Sequence, residues 1–265
     1  METNQITFSG SIPQAYEEYL GPFLFEPFAL DMVQRLGNNK VGHVLELACG
    51  TGRVTQHLHA HAAVLTATDI NPEMLTIARA KVPADNILWD VVDMADINYR
   101  EDFFDLVVCQ FGLMLVPDKS KALAEISKVL KKDSRLLFNV WGDIKDNGIW
   151  AIGMKVIGSF IGENPVPQNI GPFSMKDENE TLQLLERSGF RDIQVHPVKK
   201  TGMIESATVA AKGFIEGLPI AKILMQRDPS LIYKIEEALA KELTEQLGDK
   251  PMHSPLQAWV FEAVK

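Results

Sequence analysis

Between Val44 and Leu137 short apolar runs alternate regularly with amphipathic segments. That alternation restricts the chain more than any other feature. Two neighbouring parallel strands need a crossover, and a helical crossover lies on a face of the sheet, so the pattern reads as βαβ units. The expected strands are Val44–Leu47, Val64–Thr68, Ile87–Val91, Phe104–Cys109 and Arg135–Trp141. The fourth, Phe-Asp-Leu-Val-Val-Cys, is apolar enough to be buried on both faces, as a central parallel strand is. Between them, Arg53 to Ala62 reads as a helix. Asn71-Pro72-Glu73 opens another, with Asn as N-cap, Pro in the first turn and an apolar face of Met74, Leu75, Ala78 and Val82. Asp118 caps a third through Leu130, with Leu123, Ile126, Val129 and Leu130 inward.

Beyond Trp141 the pattern loosens. Gly142–Pro172 is rich in Gly and Pro around a helical piece, Ile149–Ile161. A helix Glu178–Ser188 stops at Gly189, where a left-handed C-cap glycine belongs. A strand follows at Asp192–Val198. Thr201–Ser254 is mostly helical with breaks near Pro219 and Pro229, and Leu256–Val264 closes the chain as a seventh strand. The expected organisation is a single domain. Its core is about 36–141 and 177–198 with the closing strand 256–264, and a helical cap comes from 1–30, 142–176 and 199–255.

At 265 residues the chain can bury a sizeable core without disulfide or metal staples. Its formal charge of −9, with no Lys/Arg cluster, disfavours a nucleic-acid or anionic-membrane partner. Only Cys49 and Cys109 occur, which points to a reducing, cytoplasmic setting. The N-terminus lacks the basic and apolar regions of a signal peptide. No apolar run is long enough to span a membrane.

The informative segment is Val44-Leu-Glu-Leu-Ala-Cys-Gly-Thr-Gly-Arg53: a strand, a tight turn of small residues, then a helix N-terminus. Such a turn lets backbone N–H groups approach a ligand. A dinucleotide fingerprint would need glycine at position 55, where Thr55 stands, and the Gly-Lys-Ser/Thr of a phosphate loop is absent. Glu46 sits instead at the strand end, ill placed for a pyrophosphate and well placed for a cation. Asp69 ends the second strand, where a carboxylate can accept ribose hydroxyls. Asp93 follows the third, within reach of an adenine amino group. Three acids at successive strand ends describe an adenosine with a positively charged tail, which is S-adenosylmethionine.

Glu46-Leu-Ala-Cys-Gly-Thr-Gly52, Thr68-Asp-Ile-Asn-Pro-Glu-Met74, Asp93-Met94 and Val108-Cys-Gln-Phe-Gly-Leu-Met114 together resemble the motifs of class I S-adenosylmethionine-dependent methyltransferases. Within that class the chain is similar to the ubiquinone/menaquinone-biosynthesis subgroup, strongly over Tyr16–Trp141 and more weakly over Gly189–Lys265. The resemblance implies a Rossmann-like, doubly wound α/β fold whose seven-stranded sheet is mostly parallel, with an antiparallel last strand and a helical cap. It implies that Glu46, Ala48, Gly50, Thr51 and Gly52 surround the methionine part. Asp69, Ile70 and Met74 would serve the ribose and adenine, and Asp93 and Met94 the adenine edge. Gln110 and Phe111 would sit beside the methyl group, and Tyr16 and Tyr19 would close over the cofactor. Ala48 replaces a first glycine of many relatives, so position 48 is expected not to need positive φ. Lys132-Asp133-Ser134 replaces a Pro-Gly-Gly turn and is expected to form a loop.

The expected reaction is methyl transfer to a small, partly hydrophobic acceptor, releasing S-adenosylhomocysteine. Phe111, Met114 and Trp141 are the candidate acceptor wall, and no catalytic base or metal is assigned. Without an alternative ruled out, a cofactor-binding sensor or assembly partner without methyl transfer stays open. Monomer and homodimer are equally allowed. His57 and His61 share a helix face without a third ligand, so a solvated helix end is expected. Cys49 and Cys109 read as buried packing residues. Met154, Met175, Met203 and Met225 could line a pocket or fill core. His196 falls in a strand and His253 in a Pro-rich turn, and neither is taken as a base.

Overall fold

The computed structural model describes residues 9–38, 40–162 and 171–265. Part of the Gly/Pro-rich stretch expected to belong to the cap, 163–170, therefore lies outside the described residues, as do 1–8 and 39. Seven strands form one sheet in the order β3-β2-β1-β4-β5-β7-β6. They are β1 Val41–Leu47, β2 Ala62–Asp69, β3 Ile87–Val91, β4 Phe104–Gln110, β5 Leu130–Trp141, β6 Arg191–Ile204 and β7 Met252–Val264. β1 pairs in parallel with β2 and β4, β2 with β3, and β4 with β5. β7 runs antiparallel to β5, from Arg135↔Val264 to Trp141↔Ala258.

The chain winds outward from β1 through β2 to β3, then returns to β4 on the other side of β1. The loops after β1 and β4 therefore leave in opposite directions at the carboxyl edge, and ligands of open α/β sheets bind in that crevice. Val44, Leu45, Leu47, Leu106, Val107 and Val108 are buried in the two central strands, as runs covered on both faces must be.

Local chemistry explains the crossover elements. Asn71 Oδ1 accepts the Glu73 N–H at 2.8 Å and starts the helix Pro72–Lys81, which buries Met74, Leu75 and Ala78. Asp118 takes the Lys121 N–H at 2.9 Å at the head of the helix Lys119–Val129. Asp177 caps Glu178–Arg187, and Gly189 follows at φ 86°.

Several boundaries differ from expectation. The helix expected over Arg53–Ala62 is shorter, an α-turn at Thr55–Leu58 continued by a 3-10 turn at His59–His61. Lys132-Asp133-Ser134 is not a separate loop but part of β5, which begins at Leu130. Leu130, fully buried, pairs with Phe104, and the next pair is Leu106↔Arg135, so the intervening charged residues bulge from the ladder. Asp133 takes φ 64° there, which a short polar side chain tolerates better than most. β6 runs on to Ile204, and β7 starts at Met252, which puts His253 on an exposed strand position rather than in a turn.

The described residues fall into two compact units: one within Phe28–Asp143, Gln168–Val198 and Ala258–Lys265, the other within Met1–Pro27, Ile144–Pro167 and Lys199–Gln257. The second is chiefly helical, with Gly148–Ile161, Ala207–Glu216, Ile220–Arg227 and Ser230–Leu247. Gly153 is there because a Cβ at that position would lie 2.4 Å from the Phe214 ring. Asn147 accepts the Gln257 N–H at 2.9 Å and donates to its carbonyl at 3.1 Å, completing the backbone bonds of a strand residue with an amide side chain. Met203 and Met225 are exposed, so neither fills core, whereas Met175 is buried. Among the described residues no helix is long and apolar enough to cross a membrane.

Candidate cofactor site

The turn after β1 is built by backbone conformations that few side chains accept. Ala48, Gly50 and Gly52 all have positive φ, at 52°, 56° and 79°. The alanine implied that position 48 does not need this region, yet the structure places it there. Cys49 N–H is drawn to the Thr68 carbonyl at 2.9 Å and Gly52 N–H to the Cys49 carbonyl at 2.9 Å, and these bonds hold the alanine in a conformation costing roughly 1–2 kcal/mol. No atom lies within 4 Å of where a Gly50 Cβ would stand, so that side of the turn is open. Gly52 faces the helix Pro72–Lys81, where its Cβ would come 3.1 Å from that of Ala78. Thr51 is buried.

Two carboxylates lie behind this turn. Glu46 is 1% exposed, and its Oε2 has no hydrogen-bond partner. Burial pushes its carboxyl up to about 8, while the Thr55 hydroxyl and N–H nearby and Lys81 pull it down and Asp69 adds to the rise. Asp69 is buried too, and burial raises its carboxyl, opposed by two backbone N–H groups. Those are Asn71 N–H on Oδ1 and Gly50 N–H on Oδ2, each at 2.8 Å. Asp69 thus ties the first turn to the start of the next helix. Each oxygen keeps a lone-pair direction for a further donor such as a hydroxyl. Ile70 beside it is 51% exposed, an apolar side chain open to a planar group, while Met74 is buried in the helix.

The third acid stands apart. β3 ends at Val91, and Asp93 lies two residues on, exposed, with its Oδ1 accepting the Ala95 N–H at 2.8 Å. Met94 points inward and is buried. It meets the other loops at a residue sequence reasoning did not single out, Gly112. A Cβ on Gly112 would lie 2.4 Å from Ala48 Cβ, 2.8 Å from Cys109 Sγ and 3.3 Å from Met94 Cε. The loops after β1, β3 and β4 therefore converge on one glycine. Its only signal in the sequence was a small residue just past the apolar fourth strand.

Gln110 ends β4, and Phe111 turns the chain with φ 52°. The Phe111 ring stacks on Trp141 at 4.0 Å and 16°, and Phe28 sets its edge against both at 5.4 Å. All three rings are buried, as is Met114, whose carbonyl accepts from Ser174 Oγ at 2.6 Å and Gly171 N–H at 3.3 Å. The residues expected to meet an acceptor form a closed aromatic wall in this structure. Tyr16 and Tyr19 belong to the other unit. There Tyr16 stacks on Phe25 at 4.8 Å, and Lys212 Nζ lies 5.4 Å from the Tyr19 ring centre.

Cys49 and Cys109 are free and buried. Burial raises both thiols, with Glu46 and Asp69 adding to the effect, and brings Cys109 to about 12; they are packing residues, not nucleophiles. Among the described residues no group of three His, Cys, Asp or Glu side chains is gathered as a metal ion would require.

A family model described as a methyltransferase domain matches residues 45–138, the segment that carries the turn and the β4 loop. The chain is 31% identical over 183 residues to the demethylmenaquinone methyltransferase of Leptospira interrogans, covering 62% of this chain and 74% of that one. The chain belongs to the class I S-adenosylmethionine-dependent methyltransferases. This methyltransferase is also 27% identical over 190 residues to the ubiquinone/menaquinone biosynthesis C-methyltransferase of Zymomonas mobilis, covering 70% and 72% of the two chains. Its fold matches that of phosphoethanolamine N-methyltransferase 2 from Haemonchus contortus, solved with S-adenosylmethionine, at a TM-score of 0.59 and 18% identity over 96% of this chain and 56% of that one. The methyltransferase uses S-adenosylmethionine, and the site fits a cation-bearing nucleoside. An orphaned buried carboxylate oxygen near the end of β1, the open glycine turn after it, and an exposed apolar residue beside a second carboxylate at the end of β2 gather on adjoining strand ends.

Proposed function

We propose that this methyltransferase acts on a small, partly hydrophobic acceptor of the quinol type. The likeness to the Leptospira demethylmenaquinone methyltransferase, across three quarters of that enzyme, carries the reading. We assign cofactor binding to the loops after β1, β2, β3 and β4. Glu46 would face the cationic methionine part. Gly50, Thr51 and Gly52 would let the backbone approach, and the free lone pairs of Asp69 would take the ribose hydroxyls. Ile70 and Met94 would flank the adenine, with Asp93 at its edge.

S-adenosylmethionine supplies an already activated methyl group. The chain's own residues then orient and exclude water, which for a reaction between two held groups can account for most of the acceleration. The Phe111–Trp141–Phe28 stack is rigid and apolar, suited to shielding that step from water. No side chain is proposed as a base. The free cysteines fit a reducing compartment such as the cytoplasm, and the acidic balance argues for no nucleic-acid partner.

The test is direct. The purified protein is incubated with S-adenosylmethionine and a panel of short-chain demethylmenaquinols, demethylated ubiquinol precursors and simple phenols. Mass spectrometry then follows both S-adenosylhomocysteine and the methylated product. Turnover with a quinol supports the reading. Turnover only with an amine, or with none of the quinols, refutes the acceptor class.

A further inference from the structure

Asn139 is an amide in a place that favours hydrocarbon. It lies near the end of β5, opposite Gln110 of β4 and Val260 of β7, and is fully enclosed. A buried amide is costly unless its donors and acceptors are used. Only half of this one is. Its Oδ1 accepts the Phe111 N–H at 3.0 Å, and the same N–H reaches the Asn139 main-chain oxygen at 3.2 Å. The Nδ2 group has no partner. A well-packed leucine would avoid the cost of the unused donor.

What the amide holds explains its presence. Phe111 has a positive φ, a conformation that a bulky side chain avoids. Two acceptors from one residue on its N–H stabilise that bend. The bend lays the Phe111 ring on Trp141 and drives the next residue, Gly112, against Ala48 and Met94. Asn139 therefore sets where the loop after β4 stands relative to the loops after β1 and β3, although its own side chain lies inside the sheet.

We propose that Asn139 is a positioning residue for methyl transfer: by clamping the Phe111 N–H it fixes the β4 wall of the cofactor site, and its contribution goes to site geometry rather than to fold stability. This rests on the assignment of those loops to the cofactor. The experiment is a double-mutant cycle with Asn139→Leu and Phe111→Gly, read by calorimetric titration with S-adenosylmethionine and by melting temperature. Glycine adopts the bend without strain, so it removes the need for the clamp. Asn139→Leu alone is expected to weaken cofactor binding about tenfold, the worth of one hydrogen bond, and to leave melting nearly unchanged because the orphaned donor goes with it. In the Phe111→Gly background the same change is expected to do nothing further to affinity. Three outcomes overturn the proposal: Asn139→Leu binds like the wild type, the two effects simply multiply, or Asn139→Leu fails to fold. Failure of the wild-type protein to bind S-adenosylmethionine would overturn the cofactor assignment instead.

Discussion

Glu46→Gln isolates the energetics of the site, because it keeps the shape of a buried carboxyl and removes its proton chemistry. The Glu46 carboxyl is raised from 4.5 to about 8 by burial, so at neutral pH it is protonated in the folded chain and ionised in the unfolded chain. Between those values the folded state holds one more proton than the unfolded state, and stability falls as pH rises, by up to about 1.4 kcal/mol per unit. From pH 5 to pH 8 this amounts to roughly 3–4 kcal/mol, or about 10 °C in melting temperature for a chain of this size. The glutamine variant lacks that slope. It is expected to melt close to the wild type at pH 5 and roughly 10 °C above it at pH 8. Cofactor binding reverses the comparison: a cation beside Glu46 favours the carboxylate, so the wild type should release a proton on binding and gain affinity up to about pH 8. Differential scanning fluorimetry from pH 5 to 9 reads the first effect. Titration calorimetry in buffers of different ionisation enthalpy reads the second. Parallel melting profiles for the two proteins, together with no buffer dependence of the binding heat, would refute a neutral Glu46.

Asp69→Ala removes the acceptor of both the Gly50 and Asn71 N–H groups, so it is expected to destabilise by about 2–3 kcal/mol and to abolish the thermal shift produced by S-adenosylmethionine. Gly112→Ala forces a methyl group into Ala48 Cβ and Cys109 Sγ, and should cost about 1–3 kcal/mol in denaturant melts and weaken cofactor binding more than tenfold. Ala48→Gly relieves a left-handed alanine and is expected to raise stability by about 0.5–1 kcal/mol, measured the same way, with cofactor affinity retained. Cys49 and Cys109 should react with a thiol reagent only after unfolding; rapid labelling of the native protein would contradict their burial.

The strands were legible because a parallel sheet covered on both faces demands apolar runs, as in Leu106–Cys109. The acids were legible because Glu46 and Asp69 interrupt such runs at the carboxyl edge. What the sequence could not show was conformation forced by neighbours. Ala48 reads as an ordinary residue, yet bonds from the next strand put it at positive φ. Phe111 has the side chain least suited to a left-handed bend, and the residue that holds it there lies 28 positions away. Gly112 matters through two other loops at once, a three-way contact that no local pattern encodes. The start of β5 was misplaced for a related reason: Leu130 looks like the end of a helix until Phe104 supplies its partner.

Several departures from local preference gather at the carboxyl edge of the sheet. A partnerless buried carboxylate oxygen at Glu46, left-handed residues at Ala48 and Phe111, and an orphaned amide donor at Asn139 all lie in or beside the turns at the carboxyl edge of β1 and β4. β1 and β4 lead up to these turns through buried apolar side chains such as Leu45, Leu47, Val107 and Val108. A stable core can carry a few kcal/mol of local strain only where something else is gained. On the proposed assignment the gain would be a turn preshaped for a nucleoside cation, which would lower the cost of binding. The same reasoning fixes a sign. Because burial favours a neutral Glu46 in the folded chain, a cation placed beside it, as proposed, would favour the carboxylate. Cofactor should then stabilise the protein more at pH 8 than at pH 6, by up to about 1.4 kcal/mol for each pH unit below the Glu46 midpoint. S-adenosylhomocysteine has lost the sulfonium charge and should show a smaller pH dependence. Equal pH dependence for the two ligands would locate the charge opposite Glu46 at the amino group they share rather than at sulfur.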